Sequence, residues 1–216
     1  MIASNPLPRT SLPQQIRDQL LERIMTGALP PGSRLIELKI AKEFSTSQAP
    51  VREAMRELEA LGVIETVPNK GARVRTISNE ELRQLYDVRA QLESYATLLV
   101  TQNTAPVESE LTKVVKLMRS AARKEDSISF AGHNSDFHRI IIEASGNKVL
   151  LECWETLNVQ ARTMTNVRRS RGNLMQLADS HIPIINSIAA GNVDEAAALA
   201  KVHVLSNRPA KDAATD

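Results

Sequence analysis

Three of the chain's four histidines fall where converging helices could use them together. His181 recurs with Ile184 and Ile188 at helical spacing, and His203 recurs with Ala196 and Leu199 or Ala200. His138 stands beside the run Phe137, Ile140, Ile141 and Ala144, one position off it. Asn134 lies four residues before His138 and so shares its helix face. Neutral imidazoles meeting at the centre of a helical bundle suit a divalent transition metal, with Zn or Ni the first candidates. The alternative is that each histidine is a core residue satisfied by hydrogen bonds. Three at stripe positions favour a shared site. His133 reads as a solvated residue.

A second chemistry is carried by Arg89. It completes the apolar series Leu82, Leu85, Leu92, Ala96 and Leu99, and a guanidinium on a buried stripe must be paired. Two readings stand side by side. One is an ion pair, with Glu93 one turn later or across a dimer interface. The other is an anchor for the carboxylate of a small effector, held in a bidentate fork. Arg139 and Arg162 are weaker candidates for the same anchor, and the alternative for Arg139 is a simply solvated residue.

A third chemistry is in SQAPVREAMREL, from Ser47 to Leu58. Ser47 is placed to cap a helix, and Pro50 sits where a missing N–H costs nothing. Val51, Ala54, Met55, Leu58 and Leu61 form the expected buried stripe. Gln48, Arg52 and Arg56 repeat every four residues on another face. These side chains suit bidentate reading of adenine and guanine edges in a major groove.

The elements around that helix decide its use, since an isolated amphipathic helix is commonplace. Leu12 to Thr26 forms a first helix with Ile16, Leu20 and Ile24 on one face. Leu29 to Phe44 supplies a Pro-Gly turn and a short second helix. Gly62 to Val74 follows as two short strands, Val63 to Val67 and Ala72 to Val74, around a turn at Pro68 to Gly71. Three helices and a two-stranded wing make a winged helix-turn-helix. Lys70 and Arg73 at the wing are suited to phosphate or minor-groove contact. With Arg34 and Gly71, and with Ser47, Gln48, Arg52 and Arg56, they make up the expected DNA face.

Beyond a break near Thr76 to Asn79 the pattern is helical throughout. The first domain is expected over 1–78, an antiparallel all-helical bundle of about six helices over 79–208, and a small, polar, disordered tail over 209–216. Expected helices run from about Asn79 to Gln102, with Ser78 and Glu81 as a capping box, and from Pro106 to about Lys124. Others cover Ser127 to Ala144 and Asn147 to Ser170. Pro183 requires the next helix to begin shortly before His181. Gly191 ends it, and Asn192 or Asp194 opens the last. The fold class is mainly α.

Composition narrows the functions. Aromatic residues are 3%, which argues against stacking platforms for single strands. The net charge of +2 divides into +3 over residues 1–78 and −1 over 79–216, so DNA binding rests on local placement of charge. A single cysteine, Cys153, excludes an internal disulfide and is read as a packing residue beside Trp154. Met1 to Thr10 lacks the apolar core of a signal peptide, and no apolar run reaches membrane-spanning length. These features point to a cytoplasmic protein without membrane partners.

Four stretches, PPGSRL, APVREAMREL, NKGARV and NSDFHRIIIEASGN, carry a resemblance to a known family. Together they resemble the GntR superfamily of bacterial transcription regulators, in the FadR-like subfamily whose C-terminal ligand-binding (FCD) domain is all helical. The resemblance implies a homodimer on an inverted repeat of double-stranded operator DNA, controlled by a small organic acid. It also implies a metal site made of an acidic residue, the histidine of an FH pair and two later histidines. Here these are Asn134, His138, His181 and His203, with a neutral, weaker amide in the acidic position. An arginine of the DVRAQLE segment lines the effector cavity in many members, which corresponds to Arg89. The expected function is a regulator, most simply a repressor, and no enzyme. The alternatives are a metal-dependent enzyme in the helical domain, for which no acid or base beyond the ligands stands out, and a ligand-free architectural DNA binder.

Overall fold

The computed structural model describes residues 11–67, 71–157 and 173–209. They belong to two compact units, Met1–Thr76 and Ile77–Asp216.

The first unit is a winged helix-turn-helix. Helix α1 (Leu12–Thr26) opens with a full capping box: the Ser11 hydroxyl accepts from the Gln14 amide, and the Gln14 side chain accepts from the Ser11 amide at 2.8 Å. It ends at Gly27, whose φ of 79° is left-handed and favours glycine. Strand β1 (Arg34–Leu35) precedes α2 (Glu37–Glu43) and α3 (Gln48–Ala60). Ile16 and Leu20 of α1 bury against α3. Val51, Ala54, Met55 and Leu58 of α3 are buried as their spacing requires. Leu61 departs from that stripe: it is the C-cap residue and lies 38% exposed, because the helix ends before the next turn can carry it inward. Ser47 occupies the N-cap position of α3 but makes no capping hydrogen bond with its side chain.

The wing pairs β2 (Ile64–Val67) with β3 (Gly71–Val74) in antiparallel register, Glu65 opposite Arg73. The sheet has a third strand that periodicity did not reveal. Strand β1 pairs with the other edge of β3, Arg34 opposite Arg73, giving the order β1-β3-β2. Two residues are too short a run to show an alternation.

The second unit is helical throughout its described residues. Helix α4 (Asn79–Gln102) starts at Ser78, whose hydroxyl accepts from the Glu81 amide. Helices α5 (Glu108–Arg123), α6 (Ser127–Ala144) and α7 (Lys148–Thr156) follow, the last two capped by Asp126 and Asn147. The expected helix from Asn147 to Ser170 is described as far as Thr156, and its remainder lies outside the described residues. Helix α8 (Leu174–Asp179), capped by Asn173, falls where no helix was expected. Six residues give too little periodicity to read. Pro183 sits in the first turn of α9 (Ile182–Ala189), and α10 (Val193–Ser206) packs along α4. The expected disordered tail lies outside the described residues beyond Pro209. No helix among the described residues is long and apolar enough to cross a membrane.

Candidate functional site

In the first unit, the polar face of α3 and the wing enclose a groove of about 570 Å³. Arg34, Arg52, Arg56 and Gly71 line it together, and Ser47, Gln48 and Arg73 are exposed. Four of the residues singled out for DNA therefore converge on one concavity. Gly71 has φ of 77°, which a side chain would strain at the turn into β3. Lys70 lies outside the described residues.

Two acidic residues that sequence reasoning missed hold these arginines. Arg52 donates through Nη2 to Glu37 Oε2 at 2.9 Å and through Nε to the same oxygen at 3.2 Å. Arg73 donates through Nε to Glu65 Oε1 at 2.6 Å, directly across the wing. Both pairs are exposed and salt-screened, so they orient the guanidinium groups more than they stabilise the fold. The cross-strand spacing of Glu65 and Arg73 was a usable signal, whereas nothing in the pattern marked Glu37.

In the second unit, α6, the N-terminus of α9, and α10 bring His138, His181 and His203 together. One ring nitrogen from each lies within 4.8 Å of the others, and all three residues are buried. His138 is part of the buried face of α6 with Asn134, Phe137 and Ile141, not one position off it, because that face is wider than the apolar residues alone suggest. Asn134 is buried one turn before it. His133 is partly exposed, with Nδ1 3.6 Å from Asp136.

The Nδ1 atoms are engaged. His181 Nδ1 lies 3.0 Å from the Leu177 carbonyl and 3.2 Å from that of Ala178, so it carries the proton and donates. His203 Nδ1 lies 3.2 Å from the Ser180 hydroxyl, and His138 Nδ1 lies 2.8 Å from Glu93 Oε2. The Nε2 of His181 is buried with no hydrogen-bond partner among the described residues. Burial, reinforced by the neighbouring His138, lowers the pKa of His181 to about 3. Burial and the other two imidazoles also hold His203 well below its ordinary range. These two rings are therefore neutral at pH 7, the form in which imidazole ligates metal. An unsatisfied buried lone pair on His181, beside the neutral His203 ring and His138, is a donor set that suits a divalent transition metal.

Arg89 and Glu93, both on α4, adjoin this cluster. Burial would raise the Glu93 carboxyl, but the Arg89 guanidinium and His138 outweigh it and hold the group far below the usual carboxylate range. Arg89 donates through Nε to Glu93 Oε1 at 2.8 Å, and its guanidinium lies 5.1 Å from the centre of the Tyr86 ring. The Trp154 indole N–H donates to the same Oε1 at 3.0 Å. A cavity of about 10 Å³, lined by Glu93, Thr97, Phe137, His138, Ile141, Ile184 and Ala200, opens beside these groups. It has room for about one water molecule.

The remaining expectations are corrected by position. Arg139 is exposed on the outer face of α6, donating to Glu143 at 2.7 Å and to Glu155 at 2.5 Å, so it takes no part in the buried cluster. Its helical position one residue past His138 turns it outward. Cys153 is exposed, and the packing role belongs to its buried neighbour Trp154. Arg162 lies outside the described residues.

Known proteins match this arrangement on both units. Residues 12–74 match the bacterial regulatory proteins of the gntR family, and residues 84–206 match the FCD domain. The chain is 34% identical over 207 residues to a probable D-xylose utilization operon transcriptional repressor of Paenarthrobacter nicotinovorans, covering 96% of this chain and 92% of that protein. It is 31% identical over 152 residues to the gluconate operon transcriptional repressor of Bacillus subtilis, covering 70% of this chain and 62% of that one. Among solved structures, McbR/YncC of E. coli superposes with a TM-score of 0.73 at 23% identity, over 92% of this chain and 96% of that one. A GntR regulator from Rhodococcus sp. RHA1 gives 0.75 at 22% identity, over 91% and 95%. These structures share the fold. The chain belongs to the GntR family of bacterial transcription regulators, in the branch that joins the winged helix to an FCD domain, and it is a DNA-binding regulator and not an enzyme.

Proposed function

We propose that this regulator is a homodimeric repressor that reads an inverted repeat, and that a small carboxylate bound beside a divalent metal in the second unit modulates its hold on the operator. Arg52, Arg56 and Gln48 would read base edges, and Arg34, Ser47, Lys70, Gly71 and Arg73 would hold the backbone or minor groove. His138, His181 and His203 would hold the metal, with Asn134 as a weaker fourth ligand. When bound, the metal supplies a Lewis-acidic positive centre. Likeness to repressors of a D-xylose utilization operon and a gluconate operon supports the repressor assignment.

The observation that carries this reading is the buried, unpartnered Nε2 of His181 among two further histidines. The charge balance supports an anionic effector. Arg89 and Glu93 offset one another, and neutral imidazoles with an amide leave a divalent ion uncompensated in a buried site. A carboxylate would complete it, with Arg89 as a second anchor. Effector binding in the second unit would alter DNA affinity in the first, and the coupling is reciprocal.

Fluorescence anisotropy of a labelled operator, titrated with small carboxylates in the presence and absence of Zn²⁺, tests the reading. Release by at least one acid in wild type, and its loss in Arg89→Met, is expected. Operator affinity indifferent to every acid, with metal loaded, contradicts it.

A further inference from the structure

Glu93 has no place in the ligand set above, yet it contacts Arg89, Trp154 and His138 at once. Its side chain is 4% exposed. The two carboxylate oxygens do different work. Oε1 accepts from Arg89 Nε and from the Trp154 indole. Oε2 lies at ion-pair distance, 2.8 Å, from His138 Nδ1 and has no aligned hydrogen-bond partner among the described residues. With Oε1 held by two donors, the carboxylate cannot rotate, and Oε2 is fixed toward the imidazole. A carboxylate oxygen this close to Nδ1 favours the proton there, which leaves the lone pair of His138 on Nε2.

We propose that Glu93 is the positioning residue of the histidine centre: it holds the His138 proton on Nδ1, turns the Nε2 lone pair toward the site shared with His181 and His203, and ties that site to Arg89. The inference rests on the metal reading above and deepens it. It also gives a route between the two ligands. A carboxylate that takes Arg89 draws it away from Glu93 Oε1, which frees the negative charge of Glu93 for His138 and its metal.

Glu93→Gln distinguishes this role sharply. Arg89 and Trp154 both donate to the Oε1 position, so the amide must place its oxygen there and its NH₂ against His138. An N–H facing Nδ1 drives the His138 proton onto Nε2, where it blocks ligation. Two readouts on full-length protein follow this. Competition with a chromophoric chelator should show Zn²⁺ affinity about 10–100-fold weaker in Glu93→Gln than in wild type. In metal-free protein, ¹⁵N-resolved histidine spectra should place the His138 proton on Nδ1 in wild type and on Nε2 in Glu93→Gln. A merely structural Glu93 would lower thermal stability and leave the tautomer unchanged. If Glu93→Gln fails to fold because Arg89 loses its counter-charge, the double variant Arg89→Met/Glu93→Met removes both charges, and should show the same weakening with a mixed tautomer. Wild-type Zn²⁺ affinity and an Nδ1 proton in either folded variant overturn the proposal. Absence of Zn²⁺ binding in wild type would instead overturn the metal reading, and the metal-free tautomer would still decide the role of Glu93.

Discussion

Lowering the pH from 7 to 5 should cost the second unit about 2 kcal/mol through His181 alone. The ring is buried and neutral, with its pKa lowered to about 3, while in the unfolded chain it titrates near its ordinary value of 6.5. The unfolded state therefore binds more protons below pH 6.5, and stability falls as the pH falls. At pH 5 the unfolded imidazole is almost fully protonated and the folded one almost fully neutral. The gap of 1.5 pH units below 6.5, at about 1.4 kcal/mol per unit, gives the figure. The magnitude is set by the unfolded pKa and hardly changes if the folded value lies anywhere below about 4. Urea unfolding with chelator present, followed by Trp154 fluorescence, is the assay. Trp154 is the chain's single tryptophan and belongs to the second unit. His181→Gln, which has no such proton to take up, should lose about 2 kcal/mol less than wild type between pH 7 and 5. Equal losses in the two proteins would refute the reasoning.

Other perturbations bear on separate links. Arg52→Ala should weaken specific operator binding by roughly 1–3 kcal/mol and relax base preference, measured by footprinting and competition with unrelated DNA. Trp154→Phe keeps the apolar bulk but leaves Glu93 Oε1 one donor short, and should cost about 1–3 kcal/mol in urea unfolding. Leu58→Ala, at a fully buried position of α3, should cost about 2–5 kcal/mol and unfold the first unit at lower denaturant, read by hydrogen exchange. Residues 79–208 alone should be dimeric by light scattering at micromolar concentration, where a monomer would count against the dimer.

The parts of this molecule legible in the sequence are those with repeated signals. Val51, Ala54, Met55 and Leu58 fixed one face of the recognition helix, and the arginines on its other face followed. Arg89 was visible as a charge in an apolar series, and the ion-pair reading is present in its contact with Glu93. What the sequence hid were features without a period. Strand β1 is two residues long, and its pairing with β3 depends on a contact distant in the chain. Glu93 looked like a partner for Arg89 only, because its second oxygen serves a histidine 45 positions later in the sequence and on another helix. Glu37 carries no local mark of its pairing with Arg52, fifteen residues away. Of the two readings of Arg139, the solvated one holds, because neighbouring residues on a helix point about 100° apart and His138 takes the inward position.

The most direct test of the buried centre is native mass spectrometry of the full-length protein after loading with Zn²⁺ and removal of excess, alongside His138→Ala, His181→Ala and His203→Ala. The account predicts one metal ion per chain in wild type and loss of that ion in each variant. A wild type that retains no metal, or three variants that retain as much as wild type, would contradict it and return the histidines to the core as ordinary hydrogen-bonded residues.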